Sequence, residues 1–416
     1  MTKTETPAEV AADLQDERLI RSEGLSGAVK SFGMRVRGGD LGSLPVVVGL
    51  VVIWAVFQIL NPNFLSANNL VNLTLQCAAV GTISIGIVLV LLLGQIDLSV
   101  GSVSGLAAAI MGVGLTQLHW PLIVAVIAAI IAGVAVGYLY GLLFTRFGVP
   151  SFVITLAGLL GFLGLQLWVL GPNSSINIPF DSWIVQFAQQ TFLPPWAAYA
   201  LAVIAAVAMF LSDWRRSERR RKAGLSQGSM TVMLVKSVLL LLALGVSVWY
   251  LSTDRGTGAM FLLFVILVVV MNFFLTRTRW GRSVFAVGGS VEAARRAGIK
   301  VNRVYISVFI LCSTFAAVGG LLAAARLASV SAASGGTDTN LNAIAAAVIG
   351  GTSLFGGRGS AWSALLGILV IQSISSGLTL LNLDSSIRFM ITGAVLLLAV
   401  IIDSLSRRSR ASHGQA

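Results

Sequence analysis

The sequence predicts an all-α polytopic membrane protein with about 12 transmembrane helices, within a range of about 10 to 13. Three observations lead there. Only 11% of the 416 residues are charged while 56% are hydrophobic, against about 25% charged in an ordinary soluble protein, which needs that charge to cover its surface. Mean hydropathy is +0.90, and several apolar runs reach the roughly 20 residues that cross a hydrocarbon core about 30 Å thick. These runs are continuous rather than alternating, so their backbone groups must be satisfied within helices and not in a barrel.

Residues 1–43 are polar and mixed in charge, with Glu5, Glu9, Asp13, Asp16, Glu17 and Glu23 among the acids. They lack a basic start followed by an apolar core and read as a cytoplasmic tail rather than a secretory signal. A membrane domain over 44–403 follows, with spans at 44–60, 69–93, 100–117, 121–143, 150–171, 196–212, 230–251, 259–275, 304–325, 341–356, 360–381 and 387–403. The run 341–356 is short and polar enough for a re-entrant or broken helix. Residues 404–416 form a basic cytoplasmic tail. The 44 glycines would each cost a water-exposed helix about 1 kcal/mol relative to Ala, but in lipid they allow helix backbones to approach closely. Cys77 and Cys312 lie inside apolar runs and read as packing residues.

The net charge of +12 is an orientation signal and not a nucleic-acid footprint. Arg215, Arg216, Arg219, Arg220, Arg221 and Lys222 share one connection. Arg277, Arg279, Arg282, Arg295, Arg296, Lys300 and Arg303 share another, and Arg407, Arg408 and Arg410 close the chain. With 12 spans all three groups fall on one side, which the positive-inside rule makes cytoplasmic, together with both termini. On the other side 172–195 carries only Asp181, and 252–258 carries Asp254 with Arg255. The segment 172–195, with four prolines and Trp183, reads as a short external loop. A weak internal repeat relates Gly94–Ser102 to Gly350–Ser360. Eight spans separate the two, so the halves would be parallel pseudo-repeats, a plan many transporters use with helix gaps near the path.

The long basic connection 277–303 carries Glu292-Ala-Ala-Arg-Arg-Ala297, all good helix formers. Ser290 is placed to cap this helix and Gly298 to stop it. A short charged helix with a glycine-rich approach suits docking to a cytosolic partner, whereas a plain basic loop would serve orientation alone.

These residues resemble the "EAA…G" coupling loop of bacterial ABC importer permeases. Ile96-Asp-Leu-Ser-Val-Gly101, Gly148-Val-Pro-Ser-Phe152, Gly281-Arg282, Ala343 through Gly351, and Gly356-Gly-Arg-Gly359 extend the likeness over roughly 45–405 to the monosaccharide (ribose/xylose-type) permeases. The apolar pair around 230–275 and the ending Leu396-Leu-Leu-Ala-Val400 with Asp403 are similar to the xylose branch. Where that family has Glu-Leu-Asp, this chain has Asn340-Leu341-Asn342. The resemblance implies a bacterial inner-membrane permease subunit that imports a monosaccharide, D-xylose foremost. It implies a partner ATPase that uses ATP and Mg, an extracytoplasmic sugar-binding protein and a permease homodimer. Glu292, Ala293, Ala294, Arg295 and Gly298 would couple to the ATPase.

Ionisable residues within spans cost about 2.5–3.5 kcal/mol on insertion scales and are functional candidates by default. Asp97 is the clearest, either lining the path beside Gln95 and Ser99 or capping the helix that begins near Ser99. Gln166, Asn340 and Asn342 are further pathway candidates, and Gln76, Asn272 and Gln372 are amides that either face a cavity or bond to neighbouring helices. There is no Gly-x-x-x-x-Gly-Lys-Ser/Thr loop, so this chain is not expected to hydrolyse ATP. Nor is there a metal or nucleophile motif, with His119 and His413 isolated, so no cofactor and no enzymatic role are expected. The alternative is a secondary sugar transporter, which would need ionisable groups near the midplane.

Overall fold

The computed structural model describes residues 44–401 apart from 173, 224, 226–228, 385, 388, 395–396 and 398–400. Both expected tails therefore lie outside the described residues, as do 388, 395–396, 398–400, 402 and 403 of the expected span 387–403, whose described residues are helical. The described helices are α1 (Leu44–Leu60), α2 (Ala67–Leu92), α3 (Val100–Thr116), α4 (Leu122–Phe147), α5 (Ser151–Leu170), α6 (Trp183–Gln189), α7 (Pro195–Lys222), α8 (Met230–Leu251), α9 (Ala259–Arg277), α10 (Arg279–Gly289), α11 (Val291–Arg296), α12 (Val301–Leu327), α13 (Thr337–Ile349) and α14 (Trp362–Leu380). Eight of them are long and apolar enough to cross a membrane. Two shorter apolar helices, α1 and α3, accompany them.

Local chemistry sets most boundaries. Ser66 caps α2 by accepting from the Asn69 N–H at 3.3 Å. The stretch Gly148-Val149-Pro150 ends α4 and starts α5, with Gly148 in the left-handed region at φ 67°. Proline there cannot continue the preceding helix but is pre-organised to begin the next.

The chain divides into two units. In one, α7 and α8 pack against each other as an antiparallel hairpin spanning 193–256. The other holds the remaining helices. At its junction the Ala259 N–H donates to the Thr191 carbonyl at 2.9 Å. Within this larger unit α12 is the central element, packed on α2, α3 and α4, and α2 is buried along nearly its whole length. Glycines permit the closest approach. On α4, Gly133, Gly137 and Gly141 share one face at i, i+4 spacing, and a Cβ at each would strike the α12 backbone at Ser313, Phe309 and Ile306. Small residues at such an interface let two helices meet backbone to backbone where lipid supplies no hydrophobic drive.

Several elements depart from the sequence expectation. The basic run 215–222 is not a connection but the end of α7, because Arg and Lys are good helix formers and complement a helix C-terminus. At 28 residues this helix is about 42 Å long, more than the hydrocarbon core needs. The expected span 341–356 is instead the 13-residue α13 followed by a loop. At about 20 Å it is too short to cross alone. The segment 172–195 is not simply a loop. It contains β1 (Ser175–Asn177), which pairs antiparallel with β2 (Ser329–Ser331) in the register Ser175↔Ser331, and also α6. The glycine-rich approach to the charged helix is itself helical, as α10. Thr278 caps it, accepting from Gly281 N–H at 3.1 Å, and Gly281, Val284 and Val287 form its buried face.

Candidate functional site

The α2–α3 break is a buried polar knot. The chain turns at Gly94, φ 68°, and Asp97 Oδ1 accepts from both the N–H and the hydroxyl of Ser99, each at 2.8 Å. Tyr140 of α4 donates its hydroxyl to Ser99 Oγ at 2.7 Å, and the Cys312 thiol of α12 donates weakly to Asp97 Oδ2 at 3.6 Å. Asn340 of α13 donates to the Leu98 carbonyl at 2.6 Å. Asp97 and Ser99 are fully buried. Asp97 thus holds the first turn of α3 together by satisfying backbone and side-chain donors that lipid would leave orphaned.

A separate cavity of about 320 Å³ lies between α2, α3, α12, the segment 333–335, α13 and α14. None of Gln95, Asp97, Ser99, Gln166, Asn340 and Asn342 lines it. Two of them shape its wall from behind. Gln166 donates to the carbonyls of Ser331 and Ser334, at 3.1 and 2.9 Å, and Ser334 is a wall residue. Asn340 adjoins Thr339, another wall residue, while its own side chain bonds back to Leu98. The remaining pair stands elsewhere: Asn342 is half-buried on α13, and Gln95 donates to the Leu93 carbonyl at 3.5 Å beside the break.

Besides Ser104 and Ser334, the polar residues lining the cavity are Gln76 on α2, Gln372 and Ser375 on α14, Thr339 on α13 and Arg326 on α12. Among the described residues, none of these five side chains has a hydrogen-bond or ionic partner. Free amide, hydroxyl and guanidinium groups on an enclosed wall offer many donors and acceptors to a ligand. Their identity was only partly legible in the sequence, where Gln76 and Gln372 stood among several amides. Arg326, just past the expected end of its span, carried one overlooked signal: a cation on the side otherwise nearly free of positive charge.

The expected coupling residues lie together at the other end of α12, which at 27 residues is about 40 Å long. Ser290 caps α11, accepting from the Ala293 N–H at 3.3 Å. Gly298 stops the helix with φ 78°. Ala294 is buried and anchors α11, whereas Glu292, Ala293 and Arg295 are exposed. Glu292 and Arg295 pair at 3.4 Å, an exposed ion pair of little energetic weight. Just upstream, Gly288 packs so tightly on Leu92 that a Cβ would meet the Leu92 carbonyl oxygen, and would approach Gly357 N to 2.9 Å. The Gly357 N–H donates to that same carbonyl at 2.9 Å, and Gly356 lies against Gly94 and Gly288. Thus α10, which leads into the exposed α11, the α2–α3 break and the α13–α14 loop meet at one backbone junction, and the two glycine-rich segments seen as a repeat are in contact.

Residues 69–400 match the family model described as branched-chain amino acid transport system / permease component. The chain is 34% identical over 345 residues to the xylose transport system permease protein of Escherichia coli strain K12, covering 83% of this chain and 87% of that one. It is 32% identical over 365 residues to the ribose import permease protein of Bacillus subtilis strain 168, covering 88% and 94%. It is 29% identical over 369 residues to the fructose import permease protein of Rhizobium meliloti, covering 88% and 86%. No solved structure matches. Its apolar helices and its likeness to these permeases along most of its length make the chain a multi-pass membrane protein that belongs to the permease family of ABC importers.

Proposed function

We propose that this chain is the translocation subunit of a monosaccharide importer, with D-xylose the foremost substrate and D-ribose and D-fructose its nearest competitors. The observation that carries the reading is the cavity of about 320 Å³ walled by the free groups of Gln76, Gln372, Thr339, Ser375 and Arg326. A sugar is recognised through hydroxyl groups that both donate and accept, which amides match on both counts. The relatives named for xylose, ribose and fructose support the substrate class.

On this reading a separate ATPase subunit, using ATP and Mg, docks on α11 through Glu292, Ala293, Ala294, Arg295 and Gly298. An extracytoplasmic binding protein delivers the sugar to the opposite face, and two permease copies enclose the path. Nucleotide binding biases one of two conformations of the permease, and the Gly288 junction carries that bias from α11 to the α2–α3 break. About 12 spans in two parallel pseudo-repeats, with cytoplasmic termini, fit the side on which the basic segments fall. The buried Asp97, already engaged by Ser99 and Cys312, serves as the structural lock of the break. Gln166 and Asn340 support the cavity wall, Ser99 belongs to the same lock as Asp97, and Gln95 and Asn342 stand off the cavity.

The test is uptake of labelled D-xylose by cells lacking their own xylose permease and supplied with this chain, its ATPase and its binding protein. Uptake is expected in the wild type. Glu292→Lys and Gly298→Pro are expected to abolish both uptake and co-purification of the ATPase. Sugar transport by the isolated chain under an ion gradient, without nucleotide, would overturn the reading.

A further inference from the structure

We propose that Arg326 sets the charge selectivity of the cavity, so that it accepts neutral sugars and sugar acids and rejects protonated amino sugars. The inference rests on the reading of this cavity as a sugar site and adds the chemical class of ligand that the site discriminates.

Three observations converge on this residue. First, Arg326 is half-buried on the cavity wall, and a guanidinium stays charged at any physiological pH. Second, among the described residues no carboxylate lines the cavity. Arg326 makes no ion pair or side-chain hydrogen bond among the described residues. Asp338 is the acid nearest the wall in sequence, next to Thr339, but it is exposed and does not line the cavity. The site therefore carries an uncompensated positive charge. Third, the backbone that bears the side chain is fixed. Gln189 of α6 donates to the Arg326 carbonyl at 2.9 Å, occupying one of the orphan acceptors at the end of α12. Ala328, at φ 50°, then turns the chain into β2.

An uncompensated guanidinium offers five donors to ligand oxygens, so it serves hydroxyl and carboxylate groups equally in geometry and favours carboxylate in charge. An ammonium group inside the same space meets repulsion. A cavity of this volume is about 8 Å across, and two unit charges at that separation with an effective dielectric of 20 correspond to roughly a thirtyfold loss of affinity. Water at the mouth screens part of this, leaving about tenfold as the expected discrimination.

The experiment uses the purified full-length chain in lipid nanodiscs. Equilibrium binding of labelled D-xylose is measured in competition with D-xylonate and D-glucosamine at pH 6, where a primary amine is protonated. Wild type is expected to prefer D-xylose over D-glucosamine by about tenfold, and to bind D-xylonate at least as well as D-xylose. Arg326→Lys, which keeps the charge, is expected to keep that rejection of the amino sugar. Arg326→Gln is expected to bring D-xylose and D-glucosamine to within about twofold, and a merely structural role would instead move both variants together. An unchanged ratio in Arg326→Gln overturns the proposal, as does a wild type that binds D-glucosamine as tightly as D-xylose. Absence of saturable binding of D-xylose, D-ribose and D-fructose alike overturns the site itself. The underlying reading is scored separately by wild-type uptake in cells carrying the whole importer: uptake with an unchanged Arg326→Gln ratio removes only the charge selectivity.

Discussion

Replacing Gly288 with alanine tests whether the exposed helix α11 drives the helix break through a single backbone contact. Gly288 is within α10 and has no left-handed backbone, so alanine suits its local conformation and the perturbation is one of contact alone. The added methyl would collide with the Leu92 carbonyl oxygen and stand 2.9 Å from Gly357 N, crowding the acceptor of the 2.9 Å hydrogen bond Gly357 N–H to Leu92 O. Relief requires the end of α10 to lift away from the junction. Overpacking of this kind costs about 1–3 kcal/mol, and stretching a buried hydrogen bond beyond its range adds about 1 kcal/mol or more. A conformational equilibrium shifted by about 2–4 kcal/mol changes by a factor of roughly 30 to 1,000.

The assay is sugar uptake per ATP hydrolysed by the assembled importer in proteoliposomes. ATP hydrolysis is expected to persist, since the α11 cap and its exposed face are untouched, while sugar moved per ATP falls at least tenfold. Gly289→Ala is the matched control. A Cβ there meets nothing within 4 Å, and the yield per ATP is expected to stay within about twofold of wild type because no contact is lost or strained. Normal coupling in a folded Gly288→Ala protein, or equal damage from Gly289→Ala, would refute the junction as the route of transmission.

Two further outcomes follow from the polar groups. Gln76→Ala and Gln372→Ala are each expected to weaken sugar binding by up to about tenfold, the worth of one net hydrogen bond, with ATP hydrolysis retained; isothermal titration on nanodisc-embedded protein reads the change. Asp97→Asn keeps an acceptor for the Ser99 N–H and hydroxyl, so uptake is expected to remain near wild type. Asp97→Ala leaves those buried donors unpaired and is expected to lose about 1–3 kcal/mol of stability, read as a lowered unfolding midpoint in detergent.

The features legible in the sequence were those decided within one or two helix turns or within one span. Hydropathy over about 20 residues is enough to place a helix in lipid, and α1, α5 and α8 begin and end within a residue of their expected bounds. The charged helix was equally local, because Ser290 and Gly298 act on backbone groups a few residues away. The same locality misled where packing intervened. α13 stops at Ile349 and a loop follows that meets Gly94 and Gly288, partners more than 50 residues distant in the chain. Likewise β1 forms only because β2, about 150 residues later, supplies its partner.

The opening inference, a helical membrane protein, came from sequence because the energy of removing apolar side chains from water is nearly additive along the chain. The sugar-sized cavity could not be read that way. Ranking polar residues by insertion cost singled out Asp97, yet such a scale assigns one cost per residue type and ignores whether neighbours satisfy the buried group or leave it free for a ligand. Only the packing of α2, α12, α13 and α14 separates the two cases. It pairs Asp97 with Ser99 and brings Gln76, Arg326, Thr339 and Gln372 to the wall of one cavity.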